Sequence, residues 1–175
     1  RVLQDDLYDL ALRYGLELIQ SFHGEFWFMG NVTPSQRQEQ SKVEKDALEF
    51  SLQAARYYDQ LVQNNTTWLL ASTTHDLTLN VIVHAGNVSC AVPGLRKMFY
   101  GAWGQVVDEA MFVLNMALLE GAKSRIICTR PIAEANYGHA QVYFDPFYSM
   151  HPYEGLKKLV LLDDKGPCVE TFIVV

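Results

Sequence analysis

Apolar positions along this chain recur with two different spacings, and the switches between them mark out the elements. From Val2 to Gln20, Leu3, Leu7, Leu10, Tyr14 and Leu18 form the single stripe of an amphipathic helix. Asp5, Asp6 and Asp9 crowd its first turns, where the helix dipole favours negative charge. Ser21 to Gly30 is short, aromatic and extended, an edge strand or a plug over the core, with a ligand pocket wall as the lesser alternative. Thr33-Pro34-Ser35-Gln36 then reads as a helix start, with Thr33 as cap, Pro34 at the first helical position and Gln36 completing a capping box. The helix runs to about Gln63. Val43, Ala47, Phe50, Ala54, Tyr57 and Leu61 keep a coiled-coil-like spacing, while Leu48, Leu52, Ala55, Tyr58 and Val62 give a second apolar flank. A helix apolar on two sides is either sandwiched inside the fold or shared with another subunit.

The segment from Thr66 to Pro131 reads as strand, strand, helix, strand, strand. Thr66 to Thr73 is β-branched and aromatic and breaks at His75-Asp76; Leu77, Leu79, Val81 and Val83 then alternate with Thr78, Asn80, Ile82 and His84. Gly86-Asn87 and Pro93-Gly94 are turn signals. Helical spacing follows over Leu95 to Met111, then two strands, Val113 to Leu119 and Arg125 to Thr129, joined at Glu120-Gly121-Ala122-Lys123. Ile132 to Pro152 is a ring-rich, punctuated loop, packed onto the core by its own aromatics or open to a partner. Lys158 to Leu162 and Val169 to Val174 flank Asp163-Asp164-Lys165-Gly166-Pro167 as a hairpin. The whole is expected to be one α+β domain, 1–175. Its antiparallel sheet combines a strand-strand-helix-strand-strand core with a C-terminal hairpin, two N-terminal helices pack on it, and the 95–111 helix crosses one face.

Composition changes this picture modestly. Apolar residues make up 49% of the 175, and charged residues, at 19%, fall below the usual quarter. Fewer charges leave less surface that must face water, which fits either a permanent partner or a compact monomer with neutral polar groups outside. The net charge is −6, from 14 basic and 20 acidic residues, and no Lys or Arg stripe is present, so nucleic acid is not an expected partner. No apolar run reaches the length of a membrane span, and no signal peptide opens the sequence, which starts at Arg1. Cys90, Cys128 and Cys168 have no metal-type spacing and favour a reducing, cytoplasmic compartment. Asn31-Val-Thr33, Asn64-Asn-Thr66, Asn65-Thr-Thr67 and Asn87-Val-Ser89 match the glycan acceptor pattern and keep a secreted or lumenal setting open.

Candidate chemistry is sparse. His75-Asp76 are neighbours that a strand would point to opposite faces, so a turn role suits them better than a dyad. His84 and Cys90, six apart across a Gly-Asn loop, fit a base and a nucleophile. His139, Asp145 and His151 carry ligand-type side chains without a metal signature, and no metal or cofactor is expected from them. Gly101-Ala-Trp-Gly104 lacks the strand-to-turn context and the Lys-Ser/Thr of a phosphate loop. A pocket for a small apolar ligand would draw its walls from Trp27, Trp68, Trp103, Tyr143 and Tyr148.

The order of elements over 66–131 resembles the ligand-binding fold shared by haem nitric-oxide sensor domains and vesicle-tethering complex subunits, and is similar to roadblock and longin-type dimerisation folds. The sensors' Tyr-x-Ser-x-Arg triplet is absent near His84-Ala-Gly-Asn-Val-Ser-Cys90, so the resemblance implies partner or small-ligand binding without haem. The leading expectation is a non-catalytic assembly or regulatory module that associates with itself or a partner protein. A small-molecule sensor, and an enzyme using a His/Asp or Cys/His site, stand behind it.

Overall fold

The computed structural model describes residues 2–22, 24–33, 37–64, 78–92, 101–119, 126–138, 144–150 and 169–174. Helix α1 spans Val2–Arg13. It stops well short of Gln20 because Gly15 sits at φ 66°, a left-handed conformation that only glycine adopts without strain. Backbone bonds from Tyr14 to Ala11 and from Gly15 to Leu12 close the last turn. Leu16 and Leu18, the end of the expected stripe, belong instead to strand β1, Leu16–Phe22. Gly24, at φ 86°, turns the chain into β2, Glu25–Gly30, which pairs antiparallel with β1 from Leu16↔Gly30 to Phe22↔Glu25.

Helix α2 covers Gln40–Asn64, so it begins later than Thr33 suggested; Pro34 to Gln36 lie outside the described residues. Its two apolar flanks both find partners within one copy. Leu48 is fully buried with Val83, Ile126, Cys128, Ile132 and Ala133. About 200° around the helix, Phe50 and Ala54 pack with Leu7, Ala11 and Leu16. The helix is therefore the filling between a sheet and the α1–hairpin unit, which removes the need for a second subunit on it.

Strands β3 (Val81–Val83), β4 (Ser89–Ala91) and β5 (Gly101–Trp103) precede helix α3, Gln105–Leu119. Of the expected helix over 95–111, residues 101–103 are a strand and the helix starts only at Gln105, 95–100 lying outside the described residues; the expected strand over 113–119 is helical. Gly104 explains the start. It sits at φ 138°, which ends β5, and its carbonyl accepts from the amides of Val107 and Asp108 to open the helix. Strand β6 (Ile126–Thr129) is buried along its whole length and runs straight into α4, Arg130–Ala135, with Pro131 in its first turn. This short helix and β7, Phe144–Met150, replace much of the expected loop over 132–152. Strand β8, Val169–Val174, was expected; its partners are β7 and β6, and residues 158–162 lie outside the described residues.

The main sheet has the order β3-β6-β8-β7 and is mixed rather than antiparallel. β3 runs parallel to β6, in the register Val81↔Ile126 to Val83↔Cys128, because the connection between them crosses over through α3. β4 and β5 form a separate antiparallel pair, Ser89↔Trp103 to Ala91↔Gly101. The α+β class stands; the strand-strand-helix-strand-strand order does not. The resemblance built on that order loses its basis too, since the described residues of 81–129 run strand, strand, strand, helix, strand. The first expected strand, 66–73, lies outside the described residues. Among the described residues no helix is long and apolar enough to cross a membrane.

Candidate functional site

Alternation along β2 divides its aromatic run between two jobs. Phe26 and Phe28 face the core, where Phe28 meets Phe50 at a ring-centroid distance of 4.8 Å and Tyr14 meets the same ring at 6.5 Å. Glu25, Trp27 and Met29, on the other face, line a half-open cleft of about 230 Å³. Ile19 and Gln20 join them from β1. The β1–β2 register slips between Leu18 and Gln20, a bulge that re-aims consecutive side chains. Ala102 of β5 and Val107 and Met111 of α3 close the far side. Val107 and Met111 are one helical turn apart and share a face. The lining therefore offers an indole, two thioethers, one amide with both donor and acceptor, and one carboxylate.

Beside the cleft, His84 follows β3 and is held from both sides. Its Nε2 lies 2.8 Å from Glu109 Oε2 and its Nδ1 lies 2.7 Å from Thr129 Oγ1. The His84 and Glu109 side chains are only 8% and 14% exposed, so the contact is sheltered from competing water. A carboxylate only accepts, so Nε2 carries the hydrogen it donates to Glu109. The Thr129 hydroxyl donates to Nδ1 of a neutral ring and accepts from it when both nitrogens are protonated. The other Glu109 oxygen accepts from Gln105 Nε2 at 2.7 Å. With both ring nitrogens engaged, His84 is not the base that Cys90 would need; Cys90 sits half-buried on β4, opposite Ala102. Cys128 is no nucleophile either, because burial pushes its thiol up to about 12.

Of the expected pocket residues, Trp27 lines the cleft. Trp103 stands 45% exposed on β5, next to the lining residue Ala102. Trp68 and Tyr143 lie outside the described residues, and Tyr148 is on β7 in register with Thr171. His75, Asp76, His139 and His151 are also outside, while Asp145 is opposite Ile173 on β7. Asp6, in the acidic first turns of α1, accepts a hydrogen bond from the Tyr57 hydroxyl, which holds that phenol above its usual value. Sequence reasoning missed Ile19, Gln20, Ala102, Val107 and Met111, and it did not single out Glu25 and Met29 within their segment. Only the alternation of Glu25, Trp27 and Met29 could have signalled part of that set.

No family model and no curated protein matches this sequence. Solved structures do. The adenylyl cyclase CyaB from P. aeruginosa aligns with 99% of this chain and 79% of its own, at a TM-score of 0.69 and 17% identity. The guanylate cyclase domain of RhGC from Catenaria anguillulae, solved in complex with GTP, covers 99% of this chain and 80% of its own, at 0.57 and 15%. A dimeric guanylyl cyclase domain of the RhoGC fusion protein from Blastocladiella emersonii covers 99% and 79%, at 0.54 and 13%. These likenesses overturn the expectation of a non-catalytic assembly or regulatory module: the chain has the α+β fold of adenylyl and guanylyl cyclase domains.

Proposed function

We propose that this chain is a nucleotide-cyclase-type catalytic domain, acting on a purine nucleoside triphosphate as a homodimer, with the base seated in the cleft between the β1–β2 hairpin and α3. The observation that carries this reading is the likeness to cyclase domains over nearly the full length of the chain. The chemistry of the cleft agrees with it. Trp27 offers a flat apolar surface for a purine ring, and Gln20 and Glu25 offer the mixed donors and acceptors that a base edge demands. Size agrees as well. A cleft of about 230 Å³ is below the roughly 300–1,000 Å³ of pockets that enclose whole ligands. It suits one part of a nucleotide, with ribose and phosphates emerging through the open side. The dimeric state rests on the dimeric neighbour and on exposed apolar side chains such as Trp103, which follows the lining residue Ala102.

Calorimetric titration of the purified chain with GTP and with ATP, in the presence of Mg²⁺ or Mn²⁺, tests binding. Mass spectrometry of the incubated mixture tests turnover to the cyclic nucleotide. Saturable binding of at least one purine triphosphate, weakened roughly 5- to 150-fold in Trp27→Ala, is the expected result. Absence of binding by both nucleotides at millimolar concentration would reject the reading.

A further inference from the structure

The His84 cluster and the cleft are opposite faces of one helix. On α3, Glu109 lies two residues beyond Val107, about 200° around the axis. Val107 and Met111 face the cleft, while Glu109 faces back and is held by the His84 ring. That ring is in turn tied to Thr129, a residue only 1% exposed at the end of the buried strand β6. Val113, fully buried, adds an apolar contact on the same back face. We propose that His84 is a positioning residue for the cleft: it clips α3 to β3 and β6 and thereby sets how far Val107 and Met111 project toward the ligand. For the nucleotide as ligand, this inference rests on the function proposed above.

The clip has the properties such a role needs. A charged hydrogen bond sheltered from water fixes distance more tightly than apolar packing, which can slide. Both oxygens of Glu109 are occupied, by His84 and Gln105, so the carboxylate has one orientation. The Thr129 hydroxyl can reverse its direction, so the ring stays in place in either protonation state. Release of the ring leaves α3 held at its start by Gly104 and elsewhere by apolar packing, which includes Val113 and the approach of Val106 to Gly86.

The test uses the full chain labelled with 5-fluorotryptophan, the Trp27 resonance being assigned with Trp27→Phe. His84→Ala and Glu109→Ala are expected to shift the Trp27 signal in the ligand-free protein and to speed amide exchange across 105–119. They are also expected to weaken GTP or ATP binding about tenfold, the scale of one charged hydrogen bond. The double variant should be no weaker than either single one, and Glu109→Gln should recover most of the affinity. A merely stabilising contact would lower the melting temperature and leave the Trp27 signal and affinity unchanged; that result overturns the proposal. Should the alanine variants fail to fold, Thr129→Val removes only the hydroxyl. A shifted Trp27 signal there supports the clip, and an unshifted one overturns it. A wild-type chain that binds neither nucleotide, with a Trp27 signal that still follows His84, would sink the nucleotide reading and leave the clip standing.

Discussion

Trp27 and Phe28 are neighbours in the chain and opposites in the fold, which allows one paired experiment to separate binding from stability. Phe28 faces the ring of Phe50 at 4.8 Å, in the cluster that joins the hairpin to α1 and α2. Truncating a fully buried phenylalanine costs about 3–5 kcal/mol. Phe28 is only half-buried, so Phe28→Ala should cost about 2–3 kcal/mol, of which the ring pair supplies roughly 0.5–1.5. Trp27 has one face against the cleft rather than the core, and Trp27→Ala should lower stability by only about 1 kcal/mol. Its effect on a stacked base should be larger, about 1–3 kcal/mol, or roughly 5- to 150-fold in Kd. Urea unfolding followed by circular dichroism reads the first quantity. With a slope near 2 kcal/mol/M, Phe28→Ala moves the midpoint by about 1 M or more and Trp27→Ala by about half that. Nucleotide titration of both variants reads the second. Equal midpoints for the two variants, or a larger loss from Trp27, would show that β2 does not alternate in this way and would refute the assignment of the cleft face.

Further expectations follow from three single residues. Gly104→Ala forces a side chain into φ 138° and brings its Cβ within 3.2 Å of the Asn87 carbonyl, so it should lower stability by about 1–3 kcal/mol, measurable as a reduced melting temperature. Cys128 should resist alkylation in the folded chain at pH 8 and react once urea is added, while Cys90 reacts first; peptide mass mapping reads both. Because burial raises the Cys128 thiol from 9.0 to about 12, the unfolded chain loses that proton first. The stability from this group is intact below pH 9.0 and should fall between pH 9.0 and about 12, more steeply than in Cys128→Ala. Tyr57→Phe deletes the exposed hydrogen bond to Asp6 and should cost at most about 1 kcal/mol, while removing one tyrosine held above its usual value from the alkaline absorbance titration.

Elements whose pattern lies within one stretch of chain were legible. The two flanks of α2 are plain in the sequence, and each meets its own core cluster. Strands β6 and β8 were placed to within a residue or so by their β-branched and aromatic content. Errors arose where one residue overrides periodicity. The helical stripe continues through Leu16 and Leu18, yet Gly15 in the left-handed region ends α1 and gives those leucines to a strand. Gly104 does the reverse, closing β5 inside a pattern that counts as helix and starting α3 beyond it. Strand β7 was hidden because Pro146 and the surrounding rings read as loop, although the register shift between Pro146 and Tyr148 lets the strand absorb them. The parallel pairing of β3 with β6 leaves no local trace at all, since it depends on which way α3 carries the chain back.

The candidate site was less legible than the fold for a physical reason: its parts have no common period. Trp27 could be singled out as an aromatic at a pocket wall, but Gln20 reaches the cleft only through a bulge, and Val107 and Met111 only through a helix whose start depends on Gly104. His84 makes the point more sharply. Read locally, it has Cys90 six residues away; in the fold its partners are 25 and 45 residues distant. A buried imidazole must satisfy both nitrogens, and polar groups that meet this need are rarely sequence neighbours. Such a constraint selects residues by their position around a core rather than along a chain. In this protein it joins a strand end, a helix back and a buried threonine into the support of a cleft that no motif announces.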